Sequence, residues 1–248
     1  MNRITVITAT FNSSKTLPKL ADSLKEQDDK NFLWLVIDGG STDGTVDFLS
    51  TFKKENDWMD FVSESDRGIY DALNKAILSC KTDFYLVVGS DDFLFSNSIK
   101  DFNSSLTSVS ESVGIVLAKI KKGNRIFGGF YPRLHWLGHS FVFRGSHSVG
   151  MLIKKSLHDE FGLYSLDFSI LSDGFFLKRV LSSSVVEIVE RDFVSGFFSE
   201  DGVSNTRDLF TIAEGWQIQM LTEKHKRLQI FIFIFKILFK FRSLVYIK

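Results

Sequence analysis

The sequence has one cysteine, Cys80, which excludes an internal disulfide and any thiolate-based zinc site and fits a reducing, cytoplasmic setting. It also lacks net charge. Thirty Lys and Arg balance thirty Asp and Glu, so no overall field draws the molecule to nucleic acid or to anionic lipid, and any such attraction has to be local. Nucleic acid is not expected as a partner. With only Pro18 and Pro132 and no linker-like stretch, one domain is simpler than two. The opening MNRITVITATFN runs straight into a strand pattern without the apolar core and small-residue cleavage site of a secretory signal. A cytoplasmic protein is therefore the expectation.

Familiar motifs are missing as well. TATFNSS stands after the first strand where a dinucleotide fold would need G-x-G-x-x-G, and no Walker A sequence occurs. The stretch DGGSTDGT is a calcium loop only superficially, because Gly40 and Thr42 occupy positions where an EF-hand needs side-chain oxygens. Asp43 is expected to cap the helix that follows. The five histidines make no H-E-x-x-H pair; His135, His139 and His147 share one aromatic segment and read as structural, with His147 the one to watch.

What is present is a rhythm. The chain of 248 residues, 44% apolar and 24% charged, can bury one sizeable α/β core. RITVITA (3 to 9) is β-branched and apolar, and Leu17, Leu20 and Leu24 then fall at helical spacing. FLWLVID (32 to 38) precedes a helical segment from Thr45 to Lys54. MDFVSES (59 to 65) precedes GIYDALNKAILS (68 to 79), with Ile69, Leu73, Ala76 and Ile77 as its apolar stripe, and DFYLVVGS (83 to 90) is a fourth strand. Such alternation predicts a mostly parallel central sheet with helices on both faces. Beyond residue 110 a strand, a turn at 122 to 124 and a second strand are expected, then an irregular wall over 133 to 148, a strand at MLIKK, a helix over 172 to 183, and two short strands in VVEIVERDFVSGFFS.

The end of the chain differs. RLQIFIFIFKILFKFRSLVYIK (227 to 248) surrounds Lys236, Lys240 and Arg242 with apolar residues, and its apolar core is shorter than the roughly 20 residues of a spanning helix. An apolar, basic helical tail lying in a membrane interface is the expectation.

Polar residues recur where strands end, the edge at which open α/β sheets bind ligands. Asn12, Asp38, Asp66, Asp91 and Asp92 all fall there. Two adjacent carboxylates closing an apolar strand repel unless a cation or polar ligand offsets them. They suit a hard divalent cation shared with a diphosphate. Asp38 or Asp66 can accept from a nucleobase or ribose, and Asp173, at the start of a predicted helix, can serve as a general base.

Taken in order, ITVITATFN, LVIDGGSTDGT, ESDRGIYDALNKAI, VVGSDD and SHSVGMLIKKSLHDEFGLYSLDFSILSDGFFLKRV resemble the family 2 glycosyltransferases over roughly residues 3 to 204. The resemblance implies a GT-A fold and an inverting transfer of sugar from a nucleotide-sugar donor to an acceptor hydroxyl, with Mg2+ or Mn2+. It implies Asp92 as metal ligand, Asp91 as donor contact and Asp173 as catalytic base. Asp38, Asp66 and the strand end from Thr8 to Thr10 surround the donor's base. By the same resemblance the acceptor is a glycan, lipid-linked, in bacterial surface-polysaccharide synthesis at the inner face of the cytoplasmic membrane, with residues 1 to 206 as the transferase domain and 207 to 248 as a helical extension. Two positions depart from the family pattern. Gly39 stands where many members carry a second carboxylate, and Ser90 where the DXD motif has its first. The alternatives are a sugar nucleotidyltransferase, which would need a basic Gly-rich loop where TATFNSSKT stands, and a carbohydrate-binding scaffold that has lost the chemistry.

Overall fold

The computed structural model describes residues 4–137, 142–143, 148–183, 185–199 and 208–245. Its first half follows the expected alternation: β1 (Ile4–Thr10), β2 (Phe32–Asp38), β3 (Met59–Ser63) and β4 (Phe84–Val87), interleaved with α1 (Leu17–Lys25), α2 (Thr45–Glu55) and α3 (Ile69–Ser79). β1 pairs in parallel with both β2 and β4, and β2 with β3. All four strands therefore end at the same edge.

These strands are apolar on both sides because both sides are covered. Ile4, Val6, Phe32, Trp34 and Val36 pack with α1, α2 and α4 (Ser98–Thr107) in one core. Ile7 and Ile37 join a second core with α3 and with Phe176, Leu177 and Val180 of the helix Ser172–Leu181. One detail of the sequence stripe is corrected: Ile69 is exposed and Tyr70 takes the inward position. That single-residue shift matters for the site.

Past β4 the sheet becomes mixed. The strand order is β3-β2-β1-β4-β8-β6-β9-β5, with β7 on β6. β6 (Val113–Lys122) and β7 (Arg125–Phe127) form a hairpin around Gly123 at φ 55°. β8 (Met151–Lys154) inserts antiparallel between β4 and β6, and the two-residue β5 (Phe93–Leu94) closes antiparallel on β9. The two short strands expected near 187 to 197 are one strand, β9 (Glu187–Phe197), parallel to β6. Its register jumps from Leu117↔Glu190 to Lys119↔Val194. The extra β9 residues bulge there, which breaks the alternation that the sequence pattern reads.

Two helices end the described chain, Asp208–Thr222 and Lys226–Val245. Trp216 stacks on Phe233 at 4.9 Å, Gln219 donates to Gln229 Oε1 at 3.1 Å, and the Lys236 ammonium reaches the Leu137 carbonyl. Leu228, Phe231, Phe235, Leu238 and Phe239, at three- and four-residue spacing, are exposed on the last helix. Among the described residues no helix is long and apolar enough to cross a membrane.

Candidate functional site

The register of the sheet places Thr10 beside Asp38, and Asp38 beside Ser63. Asp38 is fully buried, and its carboxylate builds the turn that follows. Oδ2 accepts from the Gly40 and Ser41 N–H groups and from the Ser63 hydroxyl at 2.7 Å, while Oδ1 takes the Ser41 hydroxyl. Thr8 is buried with its hydroxyl on the Trp34 indole, so it reaches the edge only through its backbone. The Thr10 hydroxyl, equally buried, has no partner among the described residues. An unpartnered buried hydroxyl is costly unless a ligand completes it.

The loop after β1 is stitched to this turn. Asn12, at φ 50°, a left-handed conformation that Asn tolerates, takes the Thr42 N–H on its side chain while its own N–H donates to Ser41. Asp43 accepts from Thr45 and from the Ser14 N–H, and these bonds hold its carboxyl well below the usual carboxylate range. Ser90, the residue in place of an acid, shares a hydrogen bond with Ser13 at 3.0 Å. It ties the β4 end to the same loop.

Gly39 has a steric reason. A Cβ there would lie 2.7 Å from Asp66 Oδ2, so the missing second carboxylate is the space that Asp66 occupies. Asp66 Oδ1 meanwhile accepts from the Gly68 N–H at 2.8 Å, at the entry to α3. Asp66 is thus brought over Gly39, next in the chain to Asp38.

Gly89 plays the matching part just past β4. A Cβ there would lie 2.8 Å from Asp92 Oδ2 and 2.9 Å from Asp91 Oδ1, so both carboxylates turn toward one small space. Asp92 is buried, accepting from the Ser199 and Gly89 N–H groups at 2.8 and 3.2 Å. Burial, with the charge of Asp91 beside it, nevertheless pushes its carboxyl up to about 7. Among the described residues no group of three or more His, Cys, Asp or Glu gathers into a metal cluster.

Asp173 sits exposed in the first turn of the Ser172–Leu181 helix. Its Oδ1 accepts from the Gly174 N–H at 2.7 Å and lies 2.9 Å from the Tyr70 hydroxyl, which is also 2.6 Å from the Ile170 carbonyl. Burial, then the Asp173 charge, pushes the Tyr70 phenol well above its ordinary value, which keeps it an O–H donor. No described residue donates to Oδ2, so that oxygen is open to an incoming proton. A groove of about 480 Å³, walled by Asp167, Phe168, Phe175, Trp216 and Met220, lies between this helix and the helix Asp208–Thr222, and Asp173 is not part of its lining.

Four of these residues escaped the sequence pattern. Tyr70 was hidden by the apolar stripe, Ser63 by being an ordinary serine at a strand end and Ser13 by being an ordinary loop serine, and Glu214, which accepts four hydrogen bonds ahead of Asp173, by standing alone in a helix. Of the histidines, His135 pairs with Glu223, and His158 is a buried core histidine held down to about 4 by desolvation. His139 and His147 lie outside the described residues.

The family model for Glycosyl transferase family 2 matches residues 5–154. The chain is 25% identical over 205 residues to a PGL/p-HBAD biosynthesis glycosyltransferase of Mycobacterium bovis, covering 81% of this chain and 78% of that one. It is 23% identical over 225 residues to a dolichyl N-acetyl-alpha-D-glucosaminyl phosphate 3-beta-D-2,3-diacetamido-2,3-dideoxy-beta-D-glucuronosyltransferase of Methanococcus voltae, covering 82% and 69%. Among solved structures, S. aureus TarS residues 1–349 in complex with UDP superposes with a TM-score of 0.65 at 17% identity, over 93% of this chain and 69% of that one. Mannosyltransferase PcManGT from Pyrobaculum calidifontis, in complex with GDP-Man and Mn2+, gives 0.63 at 19%, over 88% and 63%. These structural likenesses show the fold, the mixed α/β arrangement expected of GT-A proteins.

Proposed function

The chain belongs to glycosyl transferase family 2, and from that premise we propose that it moves a sugar, with inversion, from a nucleotide-sugar donor to a hydroxyl of a lipid-linked glycan at the inner face of the cytoplasmic membrane. Residues 1 to 206 form the transferase domain in this reading and 207 to 248 its helical extension. The observation that carries it is the pair of carboxylates converging beside Gly89, at the sheet edge that also holds the unpartnered Thr10 hydroxyl.

In this reading the donor's base lies along the ends of β1 to β3, against Thr10, Asp38 and Asp66, with Thr8 holding the strand from below. Asp91 and Asp92 reach its diphosphate. Two clustered carboxylates, one of them pushed toward neutrality by burial and by the charge of its neighbour, fit Mg2+ or Mn2+. Asp92 is the ligand and Asp91 the neighbouring donor contact. Such an ion supplies Lewis-acid stabilisation to the departing diphosphate. Asp173, steadied on Oδ1 by Tyr70, takes the acceptor's proton on Oδ2 as the hydroxyl attacks the anomeric carbon opposite the leaving group. Support for a lipid-linked acceptor comes from the name of the Methanococcus voltae relative, a dolichyl phosphate enzyme. Support for nucleotide and metal comes from UDP and from GDP-Man with Mn2+ in the two structural neighbours.

Calorimetric binding of UDP, GDP and dTDP, each with and without Mn2+, tests this directly. One nucleotide is expected to bind, and only with the metal. No binding under any condition overturns the donor site and leaves the scaffold alternative standing.

The exposed apolar stripe of the last helix is the proposed membrane contact. Deleting residues 228 to 248 is expected to abolish flotation with phosphatidylglycerol-containing vesicles while nucleotide affinity stays within about twofold, as a remote binding site allows. Continued flotation of the shortened chain removes the tail from that role.

A further inference from the structure

The helix that carries Asp173 begins without a side-chain cap of its own, since its N-cap residue is Leu171. Its entry is held from outside. Glu214, on the helix Asp208–Thr222, accepts through Oε1 from the Ser169 N–H and hydroxyl at 2.7 and 2.8 Å, and through Oε2 from the Ile170 and Leu171 N–H groups, both at 2.9 Å. Three successive backbone donors on one carboxylate form an anion nest, with the negative charge placed at a helix N-terminus. Ile170 is then gripped from both sides, its N–H by Glu214 and its carbonyl by the Tyr70 hydroxyl that also touches Asp173. The chain of contacts runs from Glu214 through residues 169 to 171 to Tyr70 and the carboxylate of Asp173.

We propose that Glu214 is a positioning residue for the catalytic base: it fixes the 169–171 entry so that Asp173 and Tyr70 stay in register, and the C-terminal extension is thereby a working part of the active site. This rests on Asp173 being the base. The same extension is fastened to the same helix at a second point, where the buried Lys178 ammonium contacts Gln219 and, at 2.6 Å, Glu223. That second point lies about 1.4 turns beyond Asp173 on the same helix and provides the control.

In the full chain, Glu214→Gln keeps one acceptor oxygen but turns an amide NH2 toward two of the four donors, at least one of them a backbone N–H. Two readouts are taken on Glu214→Gln, Glu223→Gln and Asp173→Asn: hydrogen–deuterium exchange at the amides of 169 to 171, and turnover of UDP-GlcNAc, UDP-glucose and GDP-mannose with water as acceptor. Glu214→Gln is expected to exchange about tenfold faster at those amides and to lose about tenfold in kcat at unchanged donor KM, as expected of a misplaced catalytic group. Glu223→Gln is expected to lower the melting temperature and leave both readouts at wild type. Wild-type exchange at 169 to 171 in Glu214→Gln, wild-type kcat, or an equal kcat loss in Glu223→Gln each overturns the positioning role, the last because Glu214 would then merely fasten the extension. Should Glu214→Gln not accumulate folded, Glu214→Asp, which keeps the charge but is too short to span all four donors, is read in its place with the same outcomes. If the wild type is silent toward all three sugars, exchange decides alone. Wild-type turnover by Asp173→Asn sinks the base and this inference together; a dead Asp173→Asn beside a normal Glu214→Gln sinks this inference only.

Discussion

Asp173→Asn is expected to lower sugar transfer by about 100-fold or more, the usual scale for losing a general base, while nucleotide affinity and melting temperature stay at wild-type values. The separation follows from geometry. Asn keeps an oxygen in the place of Oδ1, so the contacts with the Gly174 N–H and the Tyr70 hydroxyl survive, and the side chain is exposed, so no core contact is lost. What disappears is the basicity of Oδ2. Because Asp173 sits on a helix and the proposed donor contacts on the ends of β1 to β4, the substitution leaves those contacts in place. Single-turnover transfer, with calorimetry of the same samples, checks it. Transfer within a few-fold of wild type removes Asp173 from its role, and weakened nucleotide binding would mean that it touches the donor.

The first half of the fold was legible because its physics is local. Alternating β-branched runs and leucines three and four apart state which surface is buried, and the parallel pairing of β1 to β4 follows from helical crossovers. Asp38, Asp66, Asp91 and Asp92 could be placed at one edge on that logic alone. The second half depends on pairing between distant residues. Nothing within MLIKK says that β8 enters antiparallel between β4 and β6, and the bulge in β9 looks like a strand break until its partner is known. The site shows the same division. Gly39 and Ser90 look like defects along the chain, yet one makes room for Asp66 and the other binds Ser13. Glu214 has no signal in its own neighbours, since its partners lie 43 to 45 residues away.

Asp92→Asn is expected to abolish metal-dependent nucleotide binding and, in metal-free protein, to gain stability relative to the wild type as pH rises from 5 to 8. The second effect is a matter of sign. Burial first, with Asp91 adding to it, pushes the Asp92 carboxyl up to about 7 in the folded protein, against roughly 4 in an unfolded chain. Between those values the folded state holds a proton that the unfolded state has released, so stability falls as pH rises, by roughly 1.4 kcal/mol per pH unit at most, and levels off above about 7. Asn carries no such charge, so, although its NH2 meets one of the two N–H donors that the carboxylate now accepts, its melting temperature relative to the wild type should rise from pH 5 to pH 8. The same proton competes with a cation for the carboxylate. Metal-dependent nucleotide affinity of the wild type should therefore drop about tenfold for each unit below pH 7, as one displaced proton requires. Calorimetry with Mn2+ at pH 5.5, 6.5, 7.5 and 8.5, alongside thermal unfolding in chelator, measures both. A flat affinity over the lower two units, or nucleotide binding retained in Asp92→Asn, would take Asp92 out of the metal site; a melting temperature of Asp92→Asn that falls relative to the wild type toward pH 8 would show that the buried carboxylate is stabilised by partners and carries no burial penalty. The two arms together distinguish a carboxylate kept at a cost to stability for its ligand from one kept for the fold.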